Sequence, residues 1–223
     1  MFIYLPAMGQ INFCVIIPDR GDRPDFLANC MRMIKAQTIQ PDIIEIVSDP
    51  PENDQPDITK RYRIGYERLR NKGLDCIFLV ENDDWYAPFY FEYMVLNWVK
   101  SGAPSIFGTG YTIYYHLKLK AWHKMGHDER ASAMNTLIKP DLDFEWCKDE
   151  DPYTDQHLWK ILKGVTIFPE ILISIGMKHG IGKCGGAFHT DRFKRYINAD
   201  PDMLWLKRKI DLESFNFYSQ IKF

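Results

Sequence analysis

The sequence lacks several things, and each absence removes a class of function. No apolar run approaches the ~18 residues that a membrane-spanning helix needs. Neither sign of charge dominates: 28 Lys and Arg stand against 30 Asp and Glu, a formal net charge of −2. That balance gives no electrostatic footprint for a nucleic-acid or polybasic membrane partner. Phosphate recognition therefore has to come from local geometry or from a metal ion. The five cysteines (Cys14, Cys30, Cys76, Cys147 and Cys184) include no CxxC pair. An odd, scattered set reads as reduced thiols of a cytosolic protein and not as a disulfide framework. The opening "MFIYLPAM" is apolar but short and carries no basic leader, so no signal peptide is expected there. No internal repeat, low-complexity segment or linker divides the chain, and its 223 residues are expected to form one domain.

What is present is enough for a sizeable core: 46% of the residues are hydrophobic. Over the first hundred residues the pattern alternates. "FCVIIP" (13–18) reads as a buried strand. After the polar turn "DRGDR", Pro24 opens a helix whose Leu27, Cys30, Met31 and Ile34 share one face. "DIIEIVS" (42–48) is strand-like, and "DPPENDQPD" is a loop by its prolines and acids. Tyr62 and Leu69 then share a helical face that Gly73 terminates. "CIFLV" is a third strand. Strand, helix, strand, helix, strand predicts βαβ units, a parallel sheet and helices on its faces. Ligands of such sheets bind at the carboxyl ends of the strands. The three loops there carry "DRGDR", "DPPEND" and "ENDDW".

In the second half, "YTIYYHLKLK" (111–120) alternates, and a half-exposed, antiparallel strand is expected. Thr154 is expected to cap a helix over "DQHLWKILKG". "VTIFPEILISIG" predicts a strand pair or a bent strand, with Pro169 at the bend. The stretch after His189 reads as helical or irregular.

The densest chemistry is "CIFLVENDDWYAP" (76–88), where Glu81, Asp83 and Asp84 crowd one strand end. Three readings fit the residues. Asp83 or Asp84 caps a helix starting near Pro88. Two of the carboxylates form a glycosidase-like acid–base pair, which neighbours in one loop rarely achieve. Or the oxygens hold a hard divalent cation completed by phosphate and water. The strand-end position favours the third.

"VIIPDRGDRPDFLANCMRMIKAQTIQPDIIEIVSD" followed by "FLVENDDWYAP" resembles the N-terminal half of family 2 glycosyltransferases of the GT-A fold. The likeness is strong over residues 13 to 100 and looser beyond. It implies a Rossmann-like α/β domain: a mostly parallel central sheet flanked by helices, with a small antiparallel extension in the C-terminal half. Residues from about 10 to 100 would bind the nucleotide and residues from about 101 to 223 the acceptor. The implied activity is inverting transfer of a sugar from a nucleotide-diphosphate donor, a UDP-sugar, to an acceptor hydroxyl. By position the family's DxD falls on Glu81, Asn82 and Asp83, with Asp83 as ligand of Mn2+ or Mg2+ and Glu81 in place of the usual first aspartate. Asp49 falls on the acid that faces the nucleobase, and Pro18, Asp19 and Arg20 line the same pocket. "DPYTDQHLWKIL" resembles the family's catalytic element and puts the general base on Asp155, with Thr154 where a glutamate is usual.

His179, after a strand and before the glycines of "MKHGIGKCGGAFH", is a second metal candidate, ahead of His189. The glycine run is too irregular for a phosphate cradle. His123 and His127 lack the HExxH order of a zinc hydrolase, and "AWHKMGHDE" reads instead as a mobile acceptor-side loop. Trp122 and the tyrosines at 111, 114 and 115 are candidates for stacking on a sugar. Two competing classes remain: a nucleotidyltransferase, and a non-catalytic nucleotide- or glycan-binding module of the same fold.

Overall fold

The computed structural model describes residues 11–181 and 194–222. Eleven strands form two sheets among these residues. The first is built on β1 (Phe13–Pro18), β2 (Ile43–Val47), β3 (Cys76–Leu79), β5 (Ile106–Thr109), β8 (Thr136–Ile138) and β9 (Val165–Ile167). Its order is β2-β1-β3-β8-β5-β9. β1 pairs in parallel with β2 and β3, β5 pairs in parallel with β9, and only β8 runs the other way, antiparallel to both β3 and β5. This is the expected mostly parallel α/β sheet, with helices on its faces.

The continuous apolar run of β1 follows from cover on both faces. Phe13, Val15 and Ile17 join a core with Phe26, Cys30 and Ile34 of helix α1 (Pro24–Lys35) and Phe91 and Met94 of α3 (Tyr90–Lys100). Cys14 and Ile16 face the other way, into Tyr62, Tyr66 and Leu69 of α2 (Ile58–Leu69) and Leu158 and Trp159 of α4 (Thr154–Leu162). Buried parallel strands need no alternation for this reason.

Helix α2 lies so close to β1 that a Cβ built on Gly65 would stand 2.5 Å from Ile16 Cγ2 and 3.2 Å from Val47 Cγ2. Alanine has the better helix propensity by about 1 kcal/mol, but overpacking a rigid core costs about 1–3 kcal/mol. The overlap wins. Gly65→Ala is expected to lower Tm by about 2–4 °C in a calorimetric scan; a higher Tm would show that α2 can lift away.

The second sheet, in the order β11-β7-β6-β10-β4, contains β4 (Trp85–Tyr86), β6 (Tyr111–His116), β7 (Ala121–Gly126), β10 (Ser174–Lys178) and β11 (Asn198–Ala199). Three of its pairings are antiparallel, and β10 with β6 is parallel. Helices α5 (Leu204–Lys209) and α6 (Leu212–Ser219) follow.

The structure corrects several expectations. The strand beginning at Tyr111 ends at His116 and has no exposed face: Thr112, Tyr114 and His116 are buried along with Tyr115, and Tyr111 and Ile113 are partly buried. Its two faces are covered by different partners. Tyr115 stacks with Trp205 on one side, and Tyr114 packs with Ala121 and Tyr196 on the other. "AWHKMG" is no loop but strand β7, hydrogen-bonded along its length to β6. Neither Asp83 nor Asp84 caps a helix, since α3 begins at Tyr90 with Phe89 at its N-cap. Thr154 is the first helical residue of α4, and Tyr153 holds the cap position. The predicted strand pair is β9 and β10, which join different sheets. Cys14, Cys30, Cys76 and Cys147 are free thiols; Cys184, His189 and the glycines 182, 185 and 186 lie outside the described residues.

His127 is buried, with Nε2 2.9 Å from Thr112 Oγ1. Burial, aided by the charge of Arg130, lowers its pKa to about 4. A histidine whose folded pKa lies below its unfolded value of about 6.5 stabilises fully above 6.5, and that contribution is lost as pH falls toward 4. The slope is about 1.4 kcal/mol per pH unit. His127→Gln is expected to flatten the loss of stability between pH 6.5 and 4 in denaturant melts; parallel curves for the two proteins would contradict this.

Candidate functional site

The site forms where one sheet hands the chain to the other. β3 ends at Leu79, the turn 81–84 follows, and β4 begins at Trp85 in the second sheet. Ile175 and Ser174 of β10 pair with Trp85 and Tyr86, so the end of β10 is brought beside the acidic turn. Met177 N–H donates to Asp84 Oδ1 at 2.7 Å, and Tyr218 OH donates to the Asp83 carbonyl at 3.2 Å. Tyr86 OH accepts from Glu81 N–H at 2.9 Å. The acidic tip is thereby fixed from three sides.

Ligand oxygens of Glu81, Asp83 and Asp84 lie within 4.8 Å of one another. Two carboxylate oxygens on one divalent ion, each about 2.1 Å from it, fall within that spacing. Asp84 Oδ2 is buried with no hydrogen-bond partner among the described residues. An orphaned carboxylate oxygen inside a ring of hard oxygen donors fits magnesium or manganese. Glu81, Asp83 and Asp84 are therefore the residues that would hold such an ion.

Arg23, His179 and Lys178 surround the cluster. Arg23 Nη1 donates to Asp83 Oδ2 at 2.6 Å. His179 follows β10 and is fully buried, and its Nε2 lies 2.8 Å from the same oxygen. His179 Nδ1 accepts from Ile181 N–H at 3.2 Å, which leaves the proton on Nε2, pointing at Asp83. Lys178, the last residue of β10, is buried, and its charge acts on Glu81 and Asp84.

The charges are strongly perturbed. For Asp83, burial opposes ionisation, but Arg23 and the His179 hydrogen bond outweigh it and hold the carboxyl far below the usual range. Burial pushes Glu81 up to about 7; Lys178 opposes the shift, and Asp83 and Asp155 add to it. Burial also drives Asp84 well above the ordinary value, against Lys178. Lys178 itself is raised: burial would lower it, and the charges of Asp84 and Glu81 prevail. Perturbed groups of both signs at a strand-end cleft make this turn the candidate functional site.

Beside the cluster is a cavity lined by Pro18, Arg20, Arg23, Arg61, Glu81 and Asn82, among others. Asp19 is buried and accepts from Asn82 Nδ2 at 3.1 Å; Asn82 Oδ1 accepts from Arg23 Nη2 at 3.1 Å. Arg20 pairs with Asp57 at 2.9 Å and donates to the carbonyls of Gln55 and Asn53. Arg61 donates to the carbonyls of Asp19 and Val47 and pairs with Asp57 at 2.8 Å. The two arginines fasten the loop after β2 to the loop after β1.

Pro18, Asp19, Arg20, Glu81, Asn82, Asp83 and His179 thus come together. Asp49 stands apart: it is exposed, pairs with Arg68 at 3.1 Å and lines a neighbouring cleft with Pro50, Pro51 and Lys60. Asp57 and Arg61 line both clefts. Asp155 sits in the first turn of α4, where Arg130 Nη1 donates to its Oδ2 at 2.6 Å. Burial raises its carboxyl above the usual range; Arg130 and backbone N–H groups moderate the shift. Its charge acts on Glu81 and Tyr114.

Sequence reasoning missed Arg23, Arg61 and Lys178. The arginine-proline of "DRGDRP" was the one available signal for Arg23. Lys178 had none, because Glu81 and Asp84 are remote in sequence; Arg61 pairs locally with Asp57, but the carbonyls of Asp19 and Val47 that it braces are remote.

No protein-family model matches the chain, and no curated protein matches it. Among solved structures, the crystal structure of S. aureus TarS, a glycosyltransferase, is similar at a TM-score of 0.48 and 10% identity. The match covers 93% of this chain and 47% of that one, so the chain spans about half the length of that protein. No helix among the described residues is long and apolar enough to cross a membrane.

Proposed function

We propose that this chain transfers a sugar from a nucleotide-diphosphate donor, a UDP-sugar, to an acceptor hydroxyl, with inversion at the anomeric carbon. The observation that carries the reading is the acidic turn at the end of β3. Its three carboxylates converge within 4.8 Å beside a cavity walled by Arg20, Arg23 and Arg61. Nucleotide ligands of open α/β sheets bind at this end of the strands.

Asp83, with Glu81 and Asp84 beside it, would hold magnesium or manganese, which when bound would supply counter-charge to the departing diphosphate. His179 orients Asp83 through its Nε2 proton. Asn82, braced between Asp19 and Arg23, fixes the turn so that the carboxylates do not rearrange as charge develops. The nucleobase lies along the loop after β2, which Arg20 and Arg61 hold in place, with Asp49 at its outer edge. Asp155 takes the proton from the acceptor hydroxyl as its oxygen attacks the anomeric carbon and the bond to the diphosphate breaks. Burial makes Asp155 a stronger base than an exposed aspartate, and Arg130 orients it.

The test is product analysis with a panel of nucleotide sugars and hydroxyl acceptors. Nucleoside diphosphate released in step with a glycosylated acceptor supports the proposal. Release of pyrophosphate would reassign the site to nucleotidyl transfer. Tight nucleotide binding with no turnover of any donor would make it a binding module.

A further inference from the structure

We propose that Arg23 is the acidic cluster's internal counter-ion and exchanges places with the divalent cation: the cation takes the Asp83 carboxylate, and the freed guanidinium turns to the donor's diphosphate. This rests on the metal-dependent reading above.

Four observations support the exchange. Arg23 Nη1 and His179 Nε2 both converge on Asp83 Oδ2, at 2.6 and 2.8 Å, so the central ligand oxygen already holds two donors. A cation binding through that oxygen meets a guanidinium in its way, and like charges repel strongly in a partly buried site. Second, Arg23 Nε is buried with no hydrogen-bond partner among the described residues; Asp22 Oδ1, its nearest acid, is 3.7 Å away. The present position leaves one donor of the fork unused, and a phosphate oxygen would satisfy it. Third, Arg23 is a wall residue of the same cavity as Arg20 and Arg61, so the alternative position is already open to it. Fourth, the backbone can deliver the movement. Arg23 is the N-cap residue of α1, outside the helix proper, and Gly21 two residues earlier adopts φ +75°, a conformation that favours glycine.

Arg20 and Arg61 have no such freedom. Both spend their donors on backbone carbonyls and on Asp57. Lys178, buried within electrostatic reach of Asp84 and Glu81, remains as a positive charge when Arg23 leaves. One consequence is reciprocal coupling: the metal frees Arg23 for the diphosphate, and the diphosphate draws Arg23 off the metal's ligand.

The experiment measures Mn2+ binding to the full chain by the loss of the free-ion electron paramagnetic resonance signal, without nucleotide, for the parent and for Arg23→Gln. The variant is expected to bind Mn2+ about tenfold more tightly, since a competing charge has gone. With Mn2+ saturating, it is expected to bind UDP about tenfold more weakly. Equal or weaker Mn2+ binding by the variant overturns the exchange and leaves the metal site standing. No Mn2+ binding by either protein overturns the exchange together with the metal-dependent reading. Should Arg23→Gln not fold, Arg23→Lys serves in its place. It keeps the charge but loses the two-pronged grip on Asp83 and Asn82, and is expected to tighten Mn2+ binding by about threefold; an unchanged affinity overturns the proposal.

Discussion

Asp155→Asn is expected to lower kcat by about a hundred- to ten-thousand-fold, the usual contribution of a positioned base, while donor affinity stays within about twofold. The amide keeps the shape and can still meet Arg130, which donates to Asp155 Oδ2 at 2.6 Å. It cannot accept the acceptor's proton. The raised carboxyl gives a second signature. In the parent, kcat should rise with pH as Asp155 ionises, at a pH above that of an ordinary aspartate, and the variant should lack this limb. Turnover equal to the parent's would remove Asp155 from the role and turn attention to Glu150 and Asp151 nearby.

Asp83→Asn is expected to cut transfer by more than about a thousandfold. Losing several kcal/mol of charge stabilisation on the leaving group corresponds to that factor, at about 1.4 kcal/mol per tenfold. Asparagine is the better variant than alanine because Asp83 has a second job. It compensates Arg23, and removing one partner of a buried pair costs about 3–5 kcal/mol. With Ala, lost folding and lost chemistry would be confounded. With Asn, the side-chain oxygen still accepts from Arg23 and His179, so the Tm measures any residual structural cost. A variant that folds, binds UDP in the presence of Mn2+ as the parent does and keeps its rate would take the cation away from Asp83.

The first half of the molecule was legible because its signals are local. "FCVIIP" is apolar on both faces since helices cover both, and the helix over 24–35 announces itself through Pro24 and the spacing of Cys30 and Ile34. The acidic tip was legible because three carboxylates at a strand end need an explanation. The second sheet was not. β4 is two residues long and exists only because β10, some ninety residues later, pairs with it. The same pairing carries Lys178 into the cluster, where a lysine reads in sequence as an exposed strand end. Alternation misled at Tyr111–His116 because pattern reports chemistry of side chains, and the buried faces there include two polar residues: Thr112, whose hydroxyl meets His127 and Ser132, and His116, whose Nδ1 accepts from Leu119 N–H. Asp49 shows the opposite limit. Its place after β2 matches the expected position, yet its side chain pairs outward with Arg68, and of the acids between β2 and α2 it is Asp57 that lines the cavity.

The most direct measurement is calorimetric titration of the parent chain with UDP, once in Mn2+ and once in excess chelator. The account predicts UDP binding at least about tenfold tighter with the metal, because the diphosphate is held through the ion at Asp83. The same dissociation constant in both buffers would contradict it.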